Sequence, residues 1–322
     1  MNTRFKLKVI AAVAAAAVIT LPSLARADAI AQSILDISSF KFMIGNDAKG
    51  GGTSLVGSGI SITSANTVDS FAKLNGGIDN GSPIPGLLSG EVGSKSCVGA
   101  GCPGVYVAGT KLLQSSAAPF ATYTGSTGVV TGNAISGSAH ALTDNTVSLK
   151  PTGDGSTQSN VNLNATFTIV VGTAGNRLQT SFDATQFLRA NISDPGLASA
   201  SDSWVMTLTG PGSVFVWVPT GAAPGAITGG KSFAEAFSLT NTVTDLTPGL
   251  MNDPLEINQS VSAGGYGFEA ETGVLGVGTY TLSIRHTGAA DASLVPEPGS
   301  LAMLGTGLLV AALSTRRRKP KA

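Results

Sequence analysis

Residues 161–171 alternate with strict period two. Val161, Leu163, Ala165, Phe167, Ile169 and Val171 fall on one side, and Asn162, Asn164, Thr166, Thr168 and Val170 on the other. A β-strand turns successive side chains to opposite faces, whereas a helix repeats its apolar residues every three or four positions. The stretch therefore specifies a half-buried strand. Gly172-Thr173-Ala174-Gly175-Asn176 then turns the chain, and Leu178, Thr180, Phe182 and Ala184 lie opposite Arg177, Gln179, Ser181 and Asp183. The two runs read as an antiparallel hairpin with one wet face.

The same reading places strands at residues 34–42, 60–63, 204–209, 214–218, 236–246, 266–271 and 279–286. Gly210-Pro211-Gly212 and Pro248-Gly249 separate some of them. Roughly ten to twelve short strands without a long helix predict an all-β chain, an antiparallel β-sandwich of jelly-roll-like type. No repeat of fixed period points to a solenoid. Residues 75–109, rich in Gly, Pro and Ser, read as a long surface excursion, and residues 288–293 as a small-residue linker.

The amino terminus has the parts of a secretory signal. Arg4, Lys6 and Lys8 precede an apolar run at residues 9–21, Pro22 breaks it, and Ala25-Arg26-Ala27 offers the small-x-small cleavage pattern before Asp28. Ala27-Asp28-Ala29 is a nearby alternative. Such a signal implies the Sec export machinery as a partner. The whole chain balances at 19 basic and 19 acidic residues, but nine basic ones lie in the two ends, leaving 10 basic against 19 acidic in residues 28–298. A net charge of −9 disfavours nucleic acid and anionic lipid as partners.

The search for chemistry yields no catalytic set. Gly225-Ala226-Ile227-Thr228-Gly229-Gly230-Lys231-Ser232 matches the phosphate-loop pattern, but that loop works only between a parallel strand and a helix, and these surroundings read as antiparallel. His140 and His286 are the only histidines, and no GxSxG elbow supplies a serine. Asp183, Asp202, Glu256, Glu269 and Glu271 lie on or near strands and read as solvated or turn residues; a glycosidase would need two of them across a cleft. Asp144-Asn145 and Asn252-Asp253 offer oxygen ligands in turns, a weak case for calcium, and no other metal or cofactor is expected. Trp204, Trp217, Tyr266 and Tyr280 have the spacing of core residues, with sugar stacking as the sharper alternative. Cys97 and Cys102, the only cysteines, are separated by a glycine-rich loop and read as a local disulfide; as metal ligands they make half a zinc site.

The carboxyl terminus is the most specific stretch. Val295-Pro296-Glu297-Pro298-Gly299 cannot enter a helix or a central strand, because proline lacks an amide donor and holds its predecessor extended. Residues 301–313 carry no charge, and Arg316, Arg317, Arg318, Lys319 and Lys321 resist translocation. Thirteen helical residues span about 20 Å, short of a hydrocarbon core of about 30 Å, so the segment suits a removable anchor.

Those residues, in that order, resemble the PEP-CTERM sorting signal of exopolysaccharide-producing Gram-negative bacteria, a segment that also goes under the name ice-binding protein C-terminal domain. The resemblance implies that Pro296, Glu297 and Pro298 are recognised by an exosortase, a membrane cysteine transpeptidase. It also implies that Arg316, Arg317, Arg318 and Lys319 anchor the cytoplasmic side. The expected organisation is a signal peptide at 1–27, a β-rich exported domain at 28–290, a linker with the Pro-Glu-Pro motif at 291–299, and a transmembrane helix with a basic tail at 300–322. The expected function is that of a non-enzymatic cell-surface or extracellular-matrix protein, held in the inner membrane only in transit. A carbohydrate-binding module associated with exopolysaccharide is the alternative, with exopolysaccharide as a further partner.

Overall fold

The structure, a computed structural model, describes residues 28–45, 51–55, 58–63, 66–84, 91–99, 123–134, 139–149, 153–193, 195–223, 225–246, 255–261 and 266–294. The signal segment and residues 295–322 lie outside the described residues, and so do the helices expected at the two ends.

The described residues form eighteen strands. The first nine are β1 (Ala29–Ile44), β2 (Ile60–Thr63), β3 (Asp69–Leu74), β4 (Gly77–Asp79), β5 (Ser82–Pro83), β6 (Val92–Val98), β7 (Tyr123–Thr131), β8 (Ala139–Leu149) and β9 (Gly153–Val171). The others are β10 (Leu178–Ile192), β11 (Gly196–Gly210), β12 (Ser213–Val218), β13 (Ala226–Thr228), β14 (Gly230–Glu235), β15 (Asn241–Asp245), β16 (Leu255–Ser260), β17 (Phe268–Thr272) and β18 (Gly278–Leu294). They build two nine-stranded antiparallel sheets. One runs β14-β17-β10-β1-β8-β7-β6-β5, with β16 also on β10. The other runs β13-β12-β11-β18-β9-β3-β4, with β15 on β11 and β2 on β9. The expected sandwich is present, with more strands than expected and several far longer.

Three expectations need correction. Residues 161–182 are not a hairpin: β9 belongs to the second sheet and β10 to the first. The intervening turn is an arch, tied to its surroundings by Gly172 N–H to Gly59 O at 2.8 Å and Gly175 N–H to Leu275 O at 3.2 Å. Alternation reveals which face of a strand is apolar but not which strand lies beside it. Part of the supposed excursion is sheet, because β6 pairs along its whole length with β7. Residues 288–293 are not a linker either. They continue β18, paired on both flanks to Leu294. Their small side chains reflect close sheet packing: a Cβ on Gly288 would sit 2.5 Å from Asn145 Nδ2, and Ala290 and Ala292 are buried.

The interior centres on Phe182, which is fully buried. Its ring lies 5.0 Å from Phe268 in a parallel stack, 5.0 Å from Trp204, 5.6 Å from Phe40 and 5.8 Å from Trp217. A bulge in β1 at residues 38–41, where Ser39 takes φ 56°, shifts the parity of the strand. Leu35 and Ile37 before it and Phe40 and Phe42 after it consequently all enter the same core. The buried Trp217 indole N–H donates to Glu235 Oε1 at 2.8 Å, and the Thr220 amide donates to Oε2 at 2.8 Å. A second, smaller apolar cluster of Ala29, Ala31, Val147, Ala190, Ile192, Ala198, Ala290 and Leu294 lies toward the opposite end.

Truncating a buried phenylalanine removes its transfer energy and leaves a cavity. Phe182→Ala is expected to cost about 3–5 kcal/mol, toward the upper end because four rings lose their partner. Urea unfolding followed by tryptophan fluorescence reads the change. A loss below about 1 kcal/mol would contradict this account of the core.

Candidate functional site

The two processing signals expected from the sequence abut the fold directly. At the amino end, Ala25 and Ala27 lie outside the described residues, yet β1 begins at Ala29. Asp28 is already fastened: its amide donates to Ser193 Oγ at 2.8 Å, and the Ser193 amide donates to Asp28 O at 2.9 Å. At the other end, Leu294 pairs with Gly196 on one flank and Gly153 on the other, and only Val295 separates it from Pro296. Pro296, Glu297, Pro298, Arg316, Arg317, Arg318 and Lys319 themselves lie outside the described residues. No helix among the described residues is long and apolar enough to cross a membrane.

The residues singled out for chemistry fall into structural places. Residues 225–232 run from β13 in the second sheet to β14 in the first, with no helix following. The glycines there answer to crowding: Gly229 takes φ +72°, and a Cβ on it would stand 1.8 Å from Val214 O. Trp204, Trp217 and Tyr280 are buried, while Tyr266 carries the Lys41 ammonium 3.8 Å above its ring. The exposed large hydrophobic side chains among the described residues are all aliphatic. Cys97 is disulfide-bonded on β6, where its amide donates to Asp79 Oδ2 at 2.8 Å; Cys102 lies outside the described residues. Asp144 and Asn145 are not in a turn but buried within β8, and Asn252 and Asp253 lie outside the described residues. No group of three or more His, Cys, Asp or Glu among the described residues is arranged to hold a metal ion.

The carboxylates correct the sequence reading most sharply. Asp183, Asp202, Glu269 and Glu271 are buried, and only Glu256 is exposed. Arg177 Nη1 donates to Glu271 Oε1 at 3.1 Å, Gln179 Nε2 donates to Glu269 Oε1, and the Gly267 amide donates to Asp183 Oδ1 at 3.3 Å. Arg189 Nε stands 3.4 Å from Glu256. Buried acids survive only with donors around them, and these have structural ones.

A polar belt crosses the interior between the two apolar clusters. Ser33 on β1 and Asn145 on β8 stand opposite each other in the first sheet, and Asp202 on β11 and Gly288 on β18 in the second. Ser33 Oγ donates to Asp202 Oδ1 at 2.5 Å. Thr143 Oγ1 and His286 Nε2 share a hydrogen bond of 2.9 Å. His286 therefore does not close the last strand, as its sequence position beside Arg285 suggested, but sits fully buried in mid-strand. His140 is on β8 and meets Asp36 Oδ1 at 2.7 Å. Burial raises the Asp202 carboxyl to about 7 from 3.8, against the pull of Ser33, and raises Asp144 to about 7 against the hydrogen bond from Thr146. Burial lowers His286 to about 3 from 6.5.

Comparison with known proteins bears on the end of the chain alone. Residues 294–319 match the family model of the PEP-CTERM protein-sorting motif. That motif implies export, transient passage through the membrane and an exosortase as the processing partner. No curated protein matches the chain, and no solved structure does.

The buried groups predict a particular pH dependence. Asp144 and Asp202, whose folded pKa values are raised, stabilise the fold at low pH and lose that contribution as pH rises from 3.8 through about 7. His286, whose folded pKa is lowered, acts in the opposite sense, its contribution being lost as pH falls from 6.5 toward 3. Among these three groups the folded chain therefore holds one net extra proton between pH 4 and 6.5. Stability accordingly rises on acidification over that interval. Burial also raises Asp291, in the same direction. Asp202→Asn should make this slope shallower. Urea titrations at pH 4.5, 5.5 and 6.5 measure it, and a wild-type stability that falls over that interval on acidification would contradict the assignment.

Proposed function

We propose that this chain is a non-enzymatic protein of the cell surface or extracellular matrix, delivered by a signal peptide and released from its membrane stop by an exosortase acting at the Pro-Glu-Pro joint. The observation that carries the reading is the junction at Leu294. The sorting motif begins on the residue where the last strand ends. A transpeptidase can work on an extended, proline-stiffened segment without opening a sheet, and Val295-Pro296-Glu297-Pro298-Gly299 has that chemistry. The hydrogen bonds to the buried carboxylates of Asp183 and Glu271 support a structural role for these acids. The net acidic charge of residues 28–298 suits a protein that stays soluble outside the membrane.

Processing makes two measurable demands. Intact-mass analysis of chain recovered from the cell surface or medium should give a product that starts at Asp28 and ends within residues 295–299; a product still ending in Ala322 would overturn the processing step. Glu297→Ala should accumulate as unprocessed chain in the membrane fraction, with released material falling at least tenfold. Unchanged release would remove Glu297 from the recognised triplet.

A further inference from the structure

Strand β16 contains Glu256-Ile257-Asn258-Gln259-Ser260, an Asn-x-Ser tripeptide without an intervening proline. This is the setting in which an asparagine amide accepts a glycan. The acceptor must be exposed, because the amide enters an enzyme and the attached sugar is too bulky to bury. The chain has four such tripeptides, at Asn80, Asn164, Asn191 and Asn258. Asn191 is 1% exposed within β10, and Asn164 lies inside the long strand β9, next to Leu163, which pairs with Ile284. Asn80 is exposed, but its turn is locked. A Cβ on Gly81 would stand 2.3 Å from Ser70 Oγ, and Pro83 follows Ser82 directly.

Asn258 is placed differently. It is exposed, as are Glu256 and Ser260, and period two sets all three on one face of the strand. β16 pairs with β10 along Thr185–Ala190 and with no other strand among the described residues. The residues two positions ahead of the four asparagines are Ile78, Asn162, Arg189 and Glu256. Only at Asn258 is that residue a carboxylate; Glu256 pairs with Arg189 Nε at 3.4 Å, and its partly exposed charge is one that a cationic enzyme groove can bind.

We propose that Asn258 is an N-glycosylation site, modified during export by transfer of an oligosaccharide from a polyprenyl-diphosphate donor. The Asn258 amide nitrogen attacks C1 of the first sugar. The C1–N bond forms as the C1–O bond to the diphosphate breaks, the polyprenyl diphosphate leaves with the electron pair, and the amide proton passes to a base of the transferase. The Ser260 hydroxyl, on the same face, is the group the enzyme reads alongside the amide. The attached glycan stands over a strand that, among the described residues, pairs on one flank only. It thereby shields a surface that would otherwise template pairing with another chain.

The proposal rests on the export reading, since only an exported chain meets a membrane-bound donor. The chain, expressed at full length in its own host, recovered from envelope and medium and cleaved after glutamate, gives a peptide of residues 257–269, or 236–269 in the Glu256→Gln variant, whose mass reports the glycan. The expected result is one glycan on that peptide. It should be absent in Asn258→Gln and Ser260→Ala, restored in Ser260→Thr, unchanged in Asn80→Gln and reduced at least tenfold in Glu256→Gln. Far-UV circular dichroism of Asn258→Gln should match the parent, because the side chain is exposed. An unmodified peptide from molecules that have lost the tail would overturn the proposal and leave export standing, as would a glycan that persists in Asn258→Gln. Molecules confined to the cytoplasm and still ending in Ala322 would overturn both.

Discussion

The two ladders of β18 hold the second sheet together. That strand pairs with β11 from Thr281 to Leu294 on one side and with β9 from Gly278 to Leu294 on the other, so it joins strands that do not otherwise meet. The first strand occupies the matching place in the first sheet, between β10 and β8. Strands at both ends of the domain are thus interior strands, and the expected cleavage points lie beside them. This geometry limits where processing can occur. Upstream, Asp28 is already hydrogen-bonded to Ser193, and downstream the ladders run to Leu294. A cut within β18 would strip paired rungs from two ladders; a cut after it leaves the sheet complete.

Between the sheets, apolar packing and polar bonding divide the work. The aromatic cluster around Phe182 supplies dispersion and hydrophobic burial, while the Ser33–Asp202 and Thr143–His286 contacts tie a particular level of one sheet to a particular level of the other. Apolar side chains tolerate sliding, but a buried hydroxyl–carboxylate contact has one geometry, and losing it leaves an orphaned polar group. The belt fixes register at some cost, since the Asp202 carboxyl is held where burial opposes its charge.

The all-β class, the apolar faces of β9 and β10 and the burial of Trp204, Trp217 and Tyr280 were legible in the sequence, because period-two alternation is a local property. The sorting motif was legible for a related reason: composition and order alone identify it. Depth was not legible. Ala29–Ile37 on β1 is buried on both faces, which periodicity does not report, so the polar Gln32 and Asp36 are inside. For the same reason Asp183, Asp202, Glu269 and Glu271 looked solvated. Strand partners were not legible either, which turned an arch into a hairpin. The small residues 288–293 looked like a linker because close sheet packing and flexible linkers select the same amino acids. The signal that could have found His286 was the alternation itself: Tyr280, Leu282, Ile284 and His286 share one parity.

The central claim is that the ladders of β18, running to Leu294, complete the two-sheet fold. Thermal unfolding of two purified chains tests it most directly, one ending at Leu294 and one at Gly288. The account predicts that residues 28–294 melt cooperatively and that residues 28–288 do not fold. Equal melting of the two truncated chains, or loss of folding on ending at Leu294, would contradict it.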